Sequence, residues 1–172
     1  MNKKLNFIFL NGQMGSGKST ITNLLRKNLK RTALLSIEDI RVLLSDFRPS
    51  TEDHLLAWKI IYRMCDEYFK NGISILLEQI VCSEEVVNKF LRLAKKHKCV
   101  IGFYHLQATR NILLSRIEKR EKDQKPAKNA ILKNINKHEK MIYPKAAIID
   151  TSEVSPSEVA KLILNNSKPR VL

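Results

Sequence analysis

Asn11-Gly12-Gln13-Met14-Gly15-Ser16-Gly17-Lys18-Ser19-Thr20 follows directly on the mostly apolar run Leu5–Leu10. Glycine is scarce in this chain, five in 172 residues, and three of the five fall in this one turn. Gly12–Ser19 fits the pattern G-x-x-x-x-G-K-[ST], with a strand-like run before it and a helix-like run after it. That helix is predicted over Ser19–Leu29, with Ile21, Leu24, Leu25 and Leu29 on one face. Backbone N–H groups that point inward at phosphate oxygens need unusual φ/ψ and no side chains in the way, which favours glycine. The helix N-terminus adds partial positive charge. Lys18 then reaches the β- and γ-phosphates, and the Ser19 hydroxyl suits Mg²⁺. Gly12, Met14, Gly15, Ser16, Gly17, Lys18, Ser19 and Thr20 are therefore the expected nucleotide-binding residues, with ATP and Mg²⁺ as cofactors.

Outward from that turn, 172 residues suit one domain with a real core, taken as 1–172. A hydrophobic fraction of 44% and a charged fraction of 28% are ordinary for a globular protein and argue against disorder. No apolar run approaches the roughly 18 residues of a membrane-spanning helix. Met1-Asn2-Lys3-Lys4 leads into a first strand rather than a signal peptide. Cys65, Cys82 and Cys99 are widely spaced and form no C-x-x-C pair. They read as buried small hydrophobes in a reducing, cytoplasmic setting. The net charge of +14 suggests an anionic partner: nucleotide, nucleic acid or phosphorylated metabolite. A Lys-, Asn- and Ile-rich composition is the other source of that charge.

Short apolar runs alternate with longer helical stretches. Strands are predicted at Leu5–Leu10, Ala33–Ile37, Ile73–Leu77, Val100–Leu106 and Ala146–Ile149. Each is apolar on both faces, as in a buried parallel sheet. A helix is predicted over His54–Asn71, with Leu55, Trp58, Ile61, Tyr62, Cys65 and Phe69 near helical spacing and Gly72 as the stop. Ser83 caps another, running to about Lys98, and Ser155-Pro156-Ser157-Glu158 reads as a capped start. The alternation predicts a three-layer α/β domain with a mainly parallel sheet. Glu118–Lys128 reads as a charged excursion.

Phosphoryl transfer needs a carboxylate for the acceptor and cations for the moving charge. Ser36-Ile37-Glu38-Asp39-Ile40-Arg41 ends the second strand, at the edge where open α/β sheets place ligands. Glu38 and Arg41 share a helix face. Glu38 is a candidate base, with Asp39 the alternative, and Arg41 a candidate clamp for an acceptor phosphate. Glu78 ends the third strand and is a candidate Mg²⁺ or acceptor-site carboxylate. Arg116 and Arg120 lie four apart and lead into a candidate lid at about 116–128. The histidines His54, His97, His105 and His138 show no metal-ligand spacing and read as surface or strand-end residues. Trp58 reads as core, and Tyr143-Pro144 as a helix end.

The order strand–GQMGSGKST–helix, SIEDIR, LLEQ, LLSRIEKRE and IIDTSEVSPSEVAKLIL resembles the small P-loop kinases over residues 5 to 165. These include the kinase domains of phage-type polynucleotide kinases, zeta toxins, chloramphenicol phosphotransferases and gluconate kinases. The resemblance implies a five-stranded parallel sheet ordered 2-3-1-4-5. It implies that Lys18 and Ser19 bind phosphate and magnesium and that Arg116 is the lid arginine, followed by Arg120. It places Asp150-Thr151-Ser152 near the base of ATP. Arg41 matches the arginine of the family pattern D-x-x-R, and Glu38 stands where the aspartate should. Glu78-Gln79 replaces the usual Asp-Thr or Asp-Ala. The expected activity is transfer of the γ-phosphate of ATP to a hydroxyl of an anionic acceptor. A nucleic-acid 5′-hydroxyl, a nucleotide and a small metabolite all fit that description. The altered acceptor pocket motivates a second expectation, a nucleotide-binding regulatory module with little transfer activity.

Overall fold

A computed structural model describes residues 4–48, 50–81, 83–120 and 127–165. Five strands, β1 (Asn6–Gly12), β2 (Thr32–Ser36), β3 (Ser74–Glu78), β4 (Val100–Gln107) and β5 (Ala147–Asp150), form one sheet ordered β2-β3-β1-β4-β5. Every pairing is parallel. The helices are α1 (Lys18–Arg26), α2 (Ile37–Arg41), α3 (Thr51–Lys70), α4 (Glu84–Lys96), α5 (Arg110–Glu118), α6 (Lys128–Glu139) and α7 (Pro156–Asn165). The expected α/β architecture and strand order are both present. No helix among the described residues is long and apolar enough to cross a membrane.

The inner strands β1 and β3 are buried on both faces, which explains why they read as continuous apolar runs, whereas the edge strand β5, expected to be buried, is largely exposed because no strand flanks it on its outer side. On one face Phe7, Phe9, Leu35, Ile75, Leu77 and Phe103 pack against α3 and α4. Phe9 sits at the centre, with ring centroids 5.2 Å from Phe103 and 6.2 Å from Phe90. On the other face Ile8, Leu10, Leu76, Tyr104 and Leu106 pack against α1 and α7. A third cluster, Leu113, Ile117, Ile131 and Ile135, joins α5 to α6 and reaches Met14 in the glycine turn. Truncating one of these central phenylalanines to alanine costs about 3–5 kcal/mol.

Local rules set the ends of the elements. After α3 the Ile73 N–H donates to the Tyr68 carbonyl (2.9 Å) and the Gly72 N–H to the Phe69 carbonyl (3.1 Å), a Schellman closure. Ser83 Oγ accepts from the Val86 N–H. At α7, Ser155 Oγ accepts from the Glu158 N–H at 3.3 Å and Glu158 Oε2 accepts from the Ser155 N–H at 3.0 Å, a complete capping box.

Several expectations need correction. Ile37 is the first residue of α2, not the last of β2, because Ser36 Oγ already accepts from the Glu38 N–H. Helix α3 begins at Thr51, capped by Ser50, three residues before the predicted start. Its buried stripe is Ala57, Ile61, Cys65 and Phe69, and Leu55 lies off that stripe, 54% exposed. Arg120 lies beyond the end of α5, so it does not continue the helical face of Arg116. Tyr143 is not a helix end. It is a buried residue four positions past α6. His105 and His138, expected at the surface or a strand end, are buried. Cys65 is buried and Cys99 half-buried, and Cys82 lies outside the described residues. So does the middle of the expected lid, at 121–126.

Candidate active site

The glycine turn runs from the end of β1 to the first turn of α1, at the carboxyl edge of the sheet. Gly12 passes so close to β4 that a Cβ there would collide with the Leu106 carbonyl. Gly15 has φ +81°, and a Cβ would lie 2.8 Å from the Leu113 carbonyl of α5. The turn therefore requires glycine on two counts, space and backbone conformation.

Lys18 is buried beneath the turn, and its Nζ donates to the carbonyls of Gly12 (3.0 Å) and Gln13 (2.9 Å). Burial pushes its ammonium down to about 8, Glu78 opposes that shift and the positive charge of Arg120 adds to it. Glu78 and Arg120 thus both act electrostatically on the loop lysine. Ser19 Oγ donates to Glu78 Oε1 at 2.7 Å. A hydroxyl and a carboxylate held this way match how proteins bind Mg²⁺, through one or two oxygens with phosphate and water completing the octahedron. Among the described residues no three His, Cys, Asp or Glu side chains cluster to hold a metal by themselves.

The loop is pinned from three other elements. The Met14 N–H donates to Asn134 Oδ1 of α6 at 2.9 Å. Thr151, just after β5, directs its hydroxyl between the carbonyls of Ser16 (3.2 Å) and Gln107 (3.0 Å). Arg116 donates to Thr151 Oγ1 (3.0 Å) and to the Thr151 carbonyl (2.6 Å). Asn134 and Thr151 as loop anchors were not identified from sequence. Asn134 lies between Ile131 and Ile135 on α6, and a polar residue beside an apolar stripe was the available signal.

Ser36 pairs in register with Glu78, and Glu78 with Leu10, so the ends of β2, β3 and β1 lie side by side. Helix α2 starts from that edge with Glu38 and Arg41. They face each other: Arg41 Nη1 lies 2.7 Å from both Glu38 oxygens. Arg41 Nη2 lies 2.6 Å from His54 Nδ1, and the guanidinium sits 5.1 Å from the Phe47 ring centroid. Asp39 and Thr20 are exposed on α2 and α1. Lys18, Ser19 and Glu78 are thus brought together, the charge of Arg120 is felt at Lys18, and Glu38 and Arg41 pair with each other. Arg116 is engaged at Thr151 instead.

The family model for the AAA domain, AAA_33, matches residues 7–142. The chain belongs to this family. The AAA domain described here is similar in structure to a sugar kinase from Janibacter sp. HTCC2649, with TM-score 0.68 and 17% identity over 94% of this chain and 93% of that one. It is similar to the APS kinase of Mycobacterium tuberculosis, solved with AMPPNP and APS, with TM-score 0.65 and 15% identity over 94% of this chain and 96% of that one. It is also similar to a gluconokinase from Sinorhizobium meliloti 1021, with TM-score 0.66 and 13% identity over 96% and 93%. At these identities the likeness is one of fold. No curated protein matches this sequence.

Proposed function

We propose that this AAA domain is an ATP-dependent phosphotransferase that moves the γ-phosphate to a hydroxyl acceptor. The observation that carries the reading is the contact of Ser19 Oγ with Glu78 Oε1 beside the buried Lys18 ammonium. Mg²⁺, held by Ser19 and Glu78, would neutralise charge on the β- and γ-phosphates. Main-chain N–H groups of the glycine turn bind the phosphate oxygens, and Lys18 leaves the Gly12 and Gln13 carbonyls to bridge the β- and γ-phosphates. Arg120 brings a further positive charge towards the phosphoryl group in transit. The acceptor oxygen attacks the γ-phosphorus, the bond to the β–γ bridging oxygen breaks, and ADP departs. The acceptor's proton passes to a carboxylate of α2, Glu38 or Asp39. Arg41, beside Glu38, orients the acceptor. The pairing of Arg41 with Glu38 presets both groups at the edge of the sheet. Among the structural relatives, the APS kinase was solved with AMPPNP and APS, consistent with a nucleotide in the loop and an acceptor beside it.

The test is transfer of labelled γ-phosphate from ATP to a library of hydroxyl compounds that includes a 5′-hydroxyl oligonucleotide. Transfer to one acceptor class, lost in Lys18→Ala, is the expected result. One observation favours the second reading, a nucleotide-binding regulatory module. The Arg41 guanidinium and the Met14 N–H, groups needed for acceptor and phosphate, already have partners within the protein. Tight nucleotide binding with no transfer to any acceptor would select it.

A further inference from the structure

Strand β1 runs two residues further than its pairing with β3. The last pair in register is Leu10 with Glu78, and the Gln79 N–H still donates to the Leu10 carbonyl at 3.0 Å. Asn11 and Gly12 continue against β4, opposite His105 and Leu106. On the β3 side the ladder thus stops at Glu78.

Side chains on β1 alternate, and Phe7 and Phe9 enter the core beneath α3 and α4. Asn11 is next on that face, and it is fully buried. An amide there costs free energy unless it is bonded. Asn11 bonds one residue twice. Its Nδ2 donates to the Val81 carbonyl at 3.1 Å, and its Oδ1 accepts from the Val81 N–H at 2.8 Å. A peptide N–H can only donate and a carbonyl only accept, so the amide has one orientation here. This clasp takes over where the ladder ends and holds the chain after β3 against β1. From another side Tyr143 Oη donates to the same carbonyl at 2.8 Å.

Glu78 is therefore held on both sides. At its own position stands the ladder with Leu10 and Ser36, and three residues later the Asn11 clasp. Its carboxylate accepts from Ser19 Oγ at 2.7 Å. Asn11 also adjoins Gly12, whose carbonyl accepts from Lys18. One buried side chain thus ties the start of the glycine turn to the segment that carries Glu78. Mg²⁺ demands near-ideal octahedral geometry, whereas Ca²⁺ accepts a flexible one with longer bonds. A site that favours Mg²⁺ needs its carboxylate fixed in place. Buried polar groups bonded at both ends supply that rigidity.

We infer that Asn11 is a positioning residue for the metal site: through Val81 it sets the place of Glu78, and so tunes the affinity for Mg²⁺ and the preference for Mg²⁺ over Ca²⁺. The inference rests on the proposed reading of Ser19 and Glu78 as the Mg²⁺ pair. Asn11 acts through the main chain of residues 78–81 and not by contact with the metal.

The experiment measures the AMPPNP affinity of the full chain by calorimetry with Mg²⁺, with Ca²⁺ and in excess EDTA. Asn11→Leu keeps the size of the side chain and removes the clasp. It should weaken the Mg²⁺ enhancement of AMPPNP binding by roughly tenfold, the lower end for groups that orient a metal ligand. The Ca²⁺ enhancement should fall less, and affinity in EDTA should stay at the parent value. Glu78→Gln should weaken the Mg²⁺ enhancement at least as much, and adding Asn11→Leu to Glu78→Gln should bring little further loss. Tyr143→Phe loosens the same carbonyl without touching β1. It should give a smaller loss with the same bias against Mg²⁺, and it carries the test if Asn11→Leu does not fold. The inference is overturned if the variant tested lowers affinity equally in EDTA or lowers both metal enhancements alike. It is equally overturned if the losses of Asn11→Leu and Glu78→Gln simply add. An intact Mg²⁺ enhancement in Asn11→Leu beside a lost one in Glu78→Gln overturns the inference alone. An intact enhancement in Glu78→Gln overturns the Mg²⁺ pair and the inference with it, so the two failures are told apart by which variant shows them.

Discussion

Ser19 Oγ donates to Glu78 Oε1 at 2.7 Å, which joins the first turn of α1 to the end of β3. The two residues are 59 positions apart, and only the parallel pairing of β1 with β3 brings them together. If the pair holds Mg²⁺, Glu78→Gln should weaken the magnesium dependence of nucleotide binding by roughly tenfold to a hundredfold. Nucleotide affinity in excess EDTA should hardly change. Titrations with and without the metal check this, and equal losses in both would remove Glu78 from the metal site.

Lys18 gives a pH signature. Its ammonium sits at about 8, below the ordinary 10.5, because burial disfavours its charge. Between those values the unfolded chain holds more protons than the nucleotide-free folded one, so stability should rise with pH across that window. Bound phosphate restores the charge, so nucleotide binding above about pH 8 should take up a proton. Calorimetry in two buffers of different ionisation enthalpy measures that uptake. Lys18→Ala should abolish both the uptake and phosphate transfer, and unchanged proton uptake in that variant would assign the signal to another group.

The choice between the α2 carboxylates is open to direct test. Glu38→Gln should lower turnover by about 10²-fold or more if Glu38 takes the acceptor's proton. Near-normal turnover in Glu38→Gln together with a large loss in Asp39→Asn would move the role to Asp39. Arg41→Lys keeps the charge but loses the planar fork that spans Glu38 and His54, so it should raise KM for the acceptor.

The two arginines near α5 should separate cleanly. Arg116 holds the Thr151 carbonyl and hydroxyl, so Arg116→Ala should weaken nucleotide affinity and lower the thermal midpoint. Arg120 is the one whose charge is felt at Lys18, so Arg120→Ala should lower kcat more than affinity. The reverse pattern, with kcat falling in Arg116→Ala alone, would exchange their roles.

Asn134 occupies the Met14 N–H, a donor that phosphate needs. One neutral hydrogen bond is worth about 1 kcal/mol, roughly fivefold in affinity. Asn134→Ala should therefore tighten nucleotide binding by about that factor. Weaker binding would mean that Asn134 orders the loop rather than competing for it.

Much of this arrangement is legible in the sequence, for physical reasons. Buried strands such as β1 and β3 announce themselves as apolar runs, and β5 is apolar in sequence although largely exposed, so all five lie within two residues of their predicted bounds. The glycine turn is read from local constraints alone. Contacts that depend on tertiary proximity are not so visible. Nothing around His105 or His138 signals that their rings will lie 5.5 Å apart, because 33 positions, helix α5 among them, separate the two in sequence. The pairing of Arg41 with Glu38 was implied by spacing, but the approach of His54 from α3 was not. Arg120 reads as helical by spacing, and α5 ends two residues short of it.

Thr151 carries a consequence for dissecting the chain. The segment recognisable as an AAA domain stops at residue 142, yet the hydroxyl that braces the Ser16 carbonyl comes from beyond it, after β5. A fragment ending at 142 would keep every letter of the glycine motif and lose the strut on its far side. It would also lose α7, which packs on α1. Such a fragment should bind nucleotide poorly despite an intact motif, because the grip is assembled by both ends of the chain.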